Sequence, residues 1–378
     1  MRKKDYQLND NIIRVWSTYV PEEVIPEVTK VLQSKWINTG KKEKELREKA
    51  RRKWDFPYCV AVNSCTSALR ASLAIIGVGP GDEVISTPYT FIATNTAILE
   101  QGAKPVFADI KYEDLNIDPK SIEKKITDQT KAIIVVHYGG NPCDLDEIRK
   151  IGRKHNLPII EDAAHAMGSK YKGKYIGSVG EVVCFSLQVV KIINSGDGGL
   201  IATNNEEYYQ KLKKIIWYGI DREGKKTNLL DPLPESFKGD TVGFKYNMND
   251  ITATLASVGL DHFEEPATRR RIIGKRYRKE LAECPKIKLM RYYGDRTPNY
   301  QIFPIHVENR VRFAKYLRKH NIMVNINNRR NDIYPMFGEI RKDLPITTLV
   351  DSDVILLPIH ADLTENQVNH IIKTVQEY

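Results

Sequence analysis

From about residue 55 to residue 205 the chain alternates short apolar runs with segments of helical periodicity. Runs at residues 59–62, 83–86, 105–110, 132–137, 158–161, 182–187 and 200–203 have the length and composition of strands. Between them, residues 67–76 carry Leu69, Leu73 and Ile76 at helical spacing. Residues 145–155 place Leu145, Ile148 and Ile151 on one helical face, and Pro158 follows the end of that segment. Strands interleaved with helices predict α/β layering.

Beyond residue 205 the pattern changes. Gly219 to Gly243 is polar and rich in turn formers, which predicts a long excursion. A helical pattern then runs from about Asn249, with Pro266 placed to break or kink it. Residues 267–378 carry separate strand and helix signals, and the last helix opens with Thr364-Glu-Asn-Gln367, a capping box. These signals predict a large domain over residues 1–250 and a smaller C-terminal domain over residues 251–378.

Composition narrows the class. The 378 residues are 41% hydrophobic and 28% charged, as in a globular protein able to bury a sizeable core. The net charge of +10 is compatible with an anionic substrate or nucleic acid. The basic residues are interspersed with acids, however, and no nucleic-acid motif or zinc-ligand spacing accompanies them, so a lysine-rich solvated surface is expected. Five cysteines without paired spacing argue against a secreted disulfide framework. The polar N-terminal stretch and the lack of a run of roughly 20 apolar residues predict a cytoplasmic protein that does not engage membranes.

Three separated segments carry candidate chemistry. Asn63-Ser-Cys-Thr-Ser-Ala-Leu69 lies between a strand and a helix, where unpaired backbone N–H groups and the helix dipole suit a phosphate; a simple N-cap would look the same. Leu157-Pro-Ile-Ile-Glu-Asp162 is an apolar strand ending in two acids, at least one of which needs a partner unless it faces solvent. A protonated pyridine nitrogen is such a partner. In Cys184-Phe-Ser-Leu-Gln-Val-Val-Lys191 a lysine stands in an apolar setting, where desolvation frees its amine as a nucleophile unless it snorkels to water. Gly196-Asp-Gly-Gly199 follows, suited to a sharp turn or close backbone approach. The order phosphate cap, acid, lysine fits pyridoxal phosphate (PLP).

Those segments, together with Gly79-Pro-Gly-Asp-Glu-Val-Ile85, Thr90-Phe-Ile-Ala-Thr94, Asn116-Ile-Asp-Pro119 and Glu161-Asp-Ala-Ala-His165, occur in the order of a known family. The chain resembles the DegT/DnrJ/StrS-type sugar aminotransferases, members of the fold-type I PLP superfamily, from about Ser34 to the C-terminus and most densely over residues 59–205. The resemblance implies a large domain with a mixed, mostly parallel sheet flanked by helices, and a smaller α+β domain. It implies that Lys191 holds the cofactor as a Schiff base and then moves the proton, and that Asp162 pairs with the pyridine nitrogen. Phe91 would stack on the ring, Cys65, Thr66 and Ser186 would hold the phosphate, and His165 would stand near the ring, a packing role being the alternative. The family works as homodimers with active sites at the interface, where Gly243-Phe-Lys245-Tyr-Asn247-Met248 would reach the partner's cofactor phosphate.

Departures from the family pattern matter. Cys65 stands where glycine is common, which is tolerable if the contact is through backbone N–H. Lys245-Tyr-Asn247-Met248 stands in place of Asn-x-Arg-Met, so a lysine point charge is kept and a possible carboxylate fork is lost. Arg329 and Arg330 are candidates for the amino donor's carboxylate, and a solvated turn is their alternative. Lys191 argues against the dehydratase branch of the family, which has histidine there. The reaction implied is transamination from glutamate to a nucleotide-linked 4-keto-6-deoxyhexose, in amino-sugar and polysaccharide biosynthesis. A 3-keto sugar, a keto-inositol or another keto sugar is the alternative acceptor. Lys245 and the lysines of Lys41–Lys44 are candidates for the substrate's diphosphate.

Overall fold

A computed structural model describes residues 11–221, 239, 241–326 and 328–378. Most of the excursion expected between Gly219 and Gly243 therefore lies outside the described residues, as does Asn327. In chain order the strands are β1 (Tyr58–Val62), β2 (Glu83–Ser86), β3 (Lys104–Phe107), β4 (Thr130–Val136), β5 (Ile159–Asp162), β6 (Lys170–Tyr171), β7 (Lys174–Tyr175), β8 (Val182–Ser186) and β9 (Gly199–Thr203). Four more follow: β10 (Ile287–Leu289), β11 (Arg296–Thr297), β12 (Phe303–Val307) and β13 (Val354–Leu357). The helices begin with α1 (Val24–Gln33), α2 (Lys41–Trp54), α3 (Cys65–Ile76), α4 (Ile92–Leu99), α5 (Pro119–Lys125), α6 (Leu145–His155) and α7 (Glu206–Ile215). They continue with α8 (Asp250–Asp261), α9 (Glu264–Glu280), α10 (Arg310–Lys319), α11 (Pro345–Asp353) and α12 (Glu365–Glu377).

The main sheet has seven strands in the order β1-β9-β8-β5-β4-β2-β3. The pairs β8–β5, β5–β4, β4–β2 and β2–β3 are parallel, whereas β9 runs antiparallel to both β8 and β1. This is the α/β fold with a mostly parallel sheet that the strand–helix alternation and the family resemblance predict. A sheet covered on both faces needs apolar residues at successive positions, each facing a different layer. Accordingly Ile133, Val135 and Phe185 pack with α2 and α8 in one core, while Ala132, Ile134 and Cys184 pack with α3 in a second. A third core joins α9, α10 and α12 to the small sheet β10-β12-β13.

Strand ends moved by a residue or two except at β3, expected to reach Ile110. There the Asp109 carboxylate accepts the N–H of Ile110 and also those of Ile346 and Thr347 at the start of α11. An aspartate that satisfies nearby backbone ends a ladder. The break at Pro266 is present: α8 ends at Asp261, and the proline sits in the first turn of α9, where its missing N–H is harmless. Core membership changes within α9, between Ala267 in the first core and Ile273 in the third. The capping box at Thr364 and Gln367 is formed. The helices α1 and α2 were not anticipated; α2 is so charged that only Leu46, Ala50 and Trp54 betray its buried face. No helix among the described residues is long and apolar enough to cross a membrane.

Candidate active site

The site lies where parallel strands end and helices begin, the usual crevice of open α/β sheets. Asn63-Ser64 leaves β1 with Ser64 extended, and its hydroxyl accepts the N–H of Ser67 at 3.0 Å, which caps α3. Helix geometry leaves the N–H groups of Cys65 and Thr66 without an intrahelical acceptor, at the positive end of the dipole. Gly199 on β9 makes this approach possible. A Cβ there would stand 2.8 Å from the Ser64 carbonyl carbon and 2.9 Å from the Cys65 nitrogen.

Residue alternation on β5 aims its two acids at opposite layers. Glu161 follows Ile159 to the α6 side, where it meets Arg149 at 2.9 Å and His137 at 3.0 Å. Burial alone would raise its pKa, but His137 and Arg149 hold it lowered. Asp162 follows Ile160 to the α3 side. There it accepts the Thr94 hydroxyl at 2.8 Å and the Ala164 N–H at 3.1 Å. Burial pushes its pKa up, against these two hydrogen bonds and the charge of Lys191. The carboxylate is thus short of a cation, which is the condition for pairing with a pyridinium.

Lys191 follows β8 in a turn, with its N–H donated to the Gln188 carbonyl at 2.8 Å. Burial lowers its ammonium pKa to about 8, against the charge of Asp162. Its amine is therefore far easier to free near neutral pH than that of an ordinary lysine, as a nucleophile requires. His165 accepts the Gly139 N–H at Nδ1, 3.3 Å away, which leaves the proton on Nε2; burial drives its pKa well below the usual histidine range. The Cys65 thiol is pushed well above its usual range by burial, so it is not a thiolate.

Cys65, Thr66, Phe91, Asp162, His165, Ser186 and Lys191 all line one cleft of about 460 Å³. Lys245 does not. Its ammonium lies 3.4 Å from the centre of the Trp217 ring, and its carbonyl accepts the side chain of Asn63. Arg330 is also elsewhere: it is buried, forks onto Asp332 with two contacts of 2.6 Å, and bonds Thr348 and the Arg341 carbonyl. Arg329 is held by Asp351. Neither arginine lines the cleft, so neither is a donor-carboxylate site within this chain's own cleft.

Sequence reasoning missed Thr94, Gln301, Asn325 and Trp16, which share the cleft. Thr94 had a signal, since it stands three residues after Phe91 at the start of one helix. The others come from segments far from the motifs. The lined cleft fits PLP: an amine for its aldehyde, an under-neutralised carboxylate for its ring nitrogen, and a glycine-cradled helix N-terminus for its phosphate. Among the described residues no cluster of metal-ligand side chains is present.

The family model for DegT/DnrJ/EryC1/StrS aminotransferases matches residues 19–376. The chain belongs to this family. It is a PLP-dependent sugar aminotransferase. The spore coat polysaccharide biosynthesis protein SpsC of Bacillus subtilis is 31% identical over 369 residues, 95% of each chain. The crystal structure of the sugar aminotransferase CalS13 from Micromonospora echinospora superposes with a TM-score of 0.91 at 28% identity, covering 97% of this chain and all of that one. Spr1654 from Streptococcus pneumoniae, solved in its PLP form, gives 0.88 at 28% identity, covering 97% of this chain and 98% of that one.

Proposed function

We propose that this aminotransferase moves an amino group from glutamate to a nucleotide-linked 4-keto-6-deoxyhexose. The observation that carries the reading is the convergence of Lys191, Asp162 and the N-terminus of α3 on one cleft. Bound there, PLP supplies an electron sink for carbanion chemistry at the substrate's amino-bearing carbon. Lys191 would hold the cofactor through its aldehyde, and its amine would take up and return the proton that the reaction moves between two carbons. Asp162, on the α3 side, would as a carboxylate favour a protonated ring nitrogen. Phe91, exposed at the cleft, is placed to cover a flat ring. Cys65 and Thr66 N–H groups and the Ser186 hydroxyl hold the phosphate. His165 acts as a neutral donor through Nε2.

Two features support the wider reading. Trp16, Val20, Ile25, Leu32, Trp36 and Ile37 leave an exposed apolar stretch around α1, of the kind a homodimer buries. In a dimer Lys245, whose ammonium lies over the Trp217 ring, would face the second subunit's phosphate, and a lysine-rich surface suits a nucleoside diphosphate. The relatives' names point to sugar chemistry and, for SpsC, to polysaccharide assembly.

The test has two stages. Borohydride reduction of the PLP-loaded protein should fix the cofactor on Lys191, located by peptide mass spectrometry; a label elsewhere refutes its role. The amino-loaded enzyme is then offered nucleotide-linked 4-keto and 3-keto sugars, a keto-inositol and free keto sugars. Return of the visible absorption band fastest with the 4-keto nucleotide sugar supports the substrate assignment, and fastest return with any other overturns it.

A further inference from the structure

Residues 187–198 cross the cleft outside regular structure and include Gly196 and Gly198. Such a segment takes its shape from tertiary hydrogen bonds, because neither helix nor ladder defines it. The peptide groups on either side of Lys191 are both held by one side chain. The Gln301 Nε2 donates to the Val190 carbonyl at 2.9 Å, and its Oε1 accepts the Ile192 N–H at 3.3 Å. A primary amide can donate and accept in one plane, so it can pair with two successive peptide groups as a neighbouring strand would.

Gln301 is itself firmly placed. It is buried, its N–H bonds the Asn299 side chain, and its carbonyl accepts Arg270 Nη1 at 2.9 Å. The same nitrogen bonds the Ile359 carbonyl, also at 2.9 Å. Tyr300, between Asn299 and Gln301, has φ of +56°, a left-handed conformation that a bulky residue adopts only where its surroundings enforce it. Gly274 leaves room for its ring, since a Cβ there would lie 2.4 Å from the ring. The Asn299 amide meanwhile donates to the carbonyls of His165 and Met167 at 2.7 and 2.9 Å. One short strained segment thus grips both the Lys191 turn and the His165 turn.

We propose that Gln301 is a positioning residue that clamps the backbone on both sides of Lys191, so that the lysine side chain moves during turnover while its Cα stays in place. The proposal rests on Lys191 being the amine that holds the cofactor. Gln301→Leu removes both halves of the clamp at nearly constant volume. Gln301→Glu keeps the acceptor for Ile192 N–H and removes the donor to the Val190 carbonyl. Three quantities report on them. These are hydrogen exchange of the Ile192 amide without cofactor, the pH midpoint of the visible band with PLP, and single-turnover rate and KM with glutamate.

With Gln301→Leu, Ile192 exchange should quicken at least about 10-fold, as expected for loss of a protecting hydrogen bond. The band's midpoint should move by at least about 0.5 pH unit, and single-turnover rate should fall about 30-fold with KM changed less than about two-fold, the mark of lost alignment. Gln301→Glu should keep Ile192 protected and lose less rate than Gln301→Leu. If Gln301→Leu does not fold, a wild-type midpoint and rate in Gln301→Glu overturns the donor half of the clamp. If it folds, wild-type midpoint and rate, or equal losses in both variants with Ile192 exchange unchanged, overturns the proposal. Lys191→Ala separates the two readings. A visible band that survives this change refutes the cofactor role of Lys191, whereas its loss alongside a silent Gln301→Leu refutes only the clamp.

Discussion

Glu161 and Asp162 are adjacent, buried and on the same strand, yet they live in different electrostatic worlds. On the α6 side Glu161 meets a guanidinium and an imidazole, and its pKa falls. On the α3 side Asp162 has a hydroxyl, one backbone N–H and a desolvated lysine, and its pKa rises. The lesson is that a buried charge with its partners in place serves the fold, whereas one short of partners is held ready for a ligand. The same contrast separates Arg330, bound by Asp332, from Lys191, whose ammonium burial makes easy to deprotonate.

Changing each member tests this division. Lys191→Ala should lower transamination at least about 1,000-fold, because both the covalent link and the proton carrier go; retained turnover would break the comparison at once. Asp162→Asn should lower it by about 100-fold, since a neutral amide no longer favours a protonated ring nitrogen, with PLP still bound as read by its absorption. Glu161→Gln should act on the opposite quantity. It strands His137 and Arg149 and should cost about 2–3 kcal/mol of stability in denaturant titration, with turnover per folded molecule within about two-fold. A large kinetic effect from Glu161→Gln would show that the sheet's two faces are not separate.

Lys191 also leaves a thermodynamic signature. Its folded pKa of about 8 lies below the usual 10.5, so the unfolded chain binds more protons between these values. Wild-type stability without cofactor should therefore rise as pH climbs through that window, and be lowered below it. Lys191→Met should lack the rise and be more stable at pH 7 by on the order of 2 kcal/mol, as read by thermal unfolding. Thr94→Val is the mildest change: removing one hydroxyl from Asp162 should slow turnover about ten-fold, close to the low end of the worth of one hydrogen bond to a charged group.

Much of this was legible before the fold was known. The apolar runs located the seven strands of the main sheet because sheet burial demands consecutive apolar residues. The α3 cap, the acid pair and Lys191 were legible because each is a local pattern with a local physical reason. Gln301 was not, since an amide acquires a role only from what packs beside it, and Thr94 was marked only by its place three residues after Phe91. Helix α2 escaped notice because few of its residues are apolar; α1 has apolar residues enough, but it lies outside the strand–helix alternation that was read.

Sequence alone determined which chemical groups this protein owns and their order along the chain, because propensity, alternation and capping act over a few residues. It also determined that Glu161 and Asp162 must face opposite ways, since strand geometry allows nothing else. Only the tertiary structure decided which of them faces the cleft, that Arg330 is taken up by Asp332, and that Gln301 reaches across to Lys191. Those outcomes depend on contacts between residues far apart in the chain, and local pattern carries no record of such neighbours.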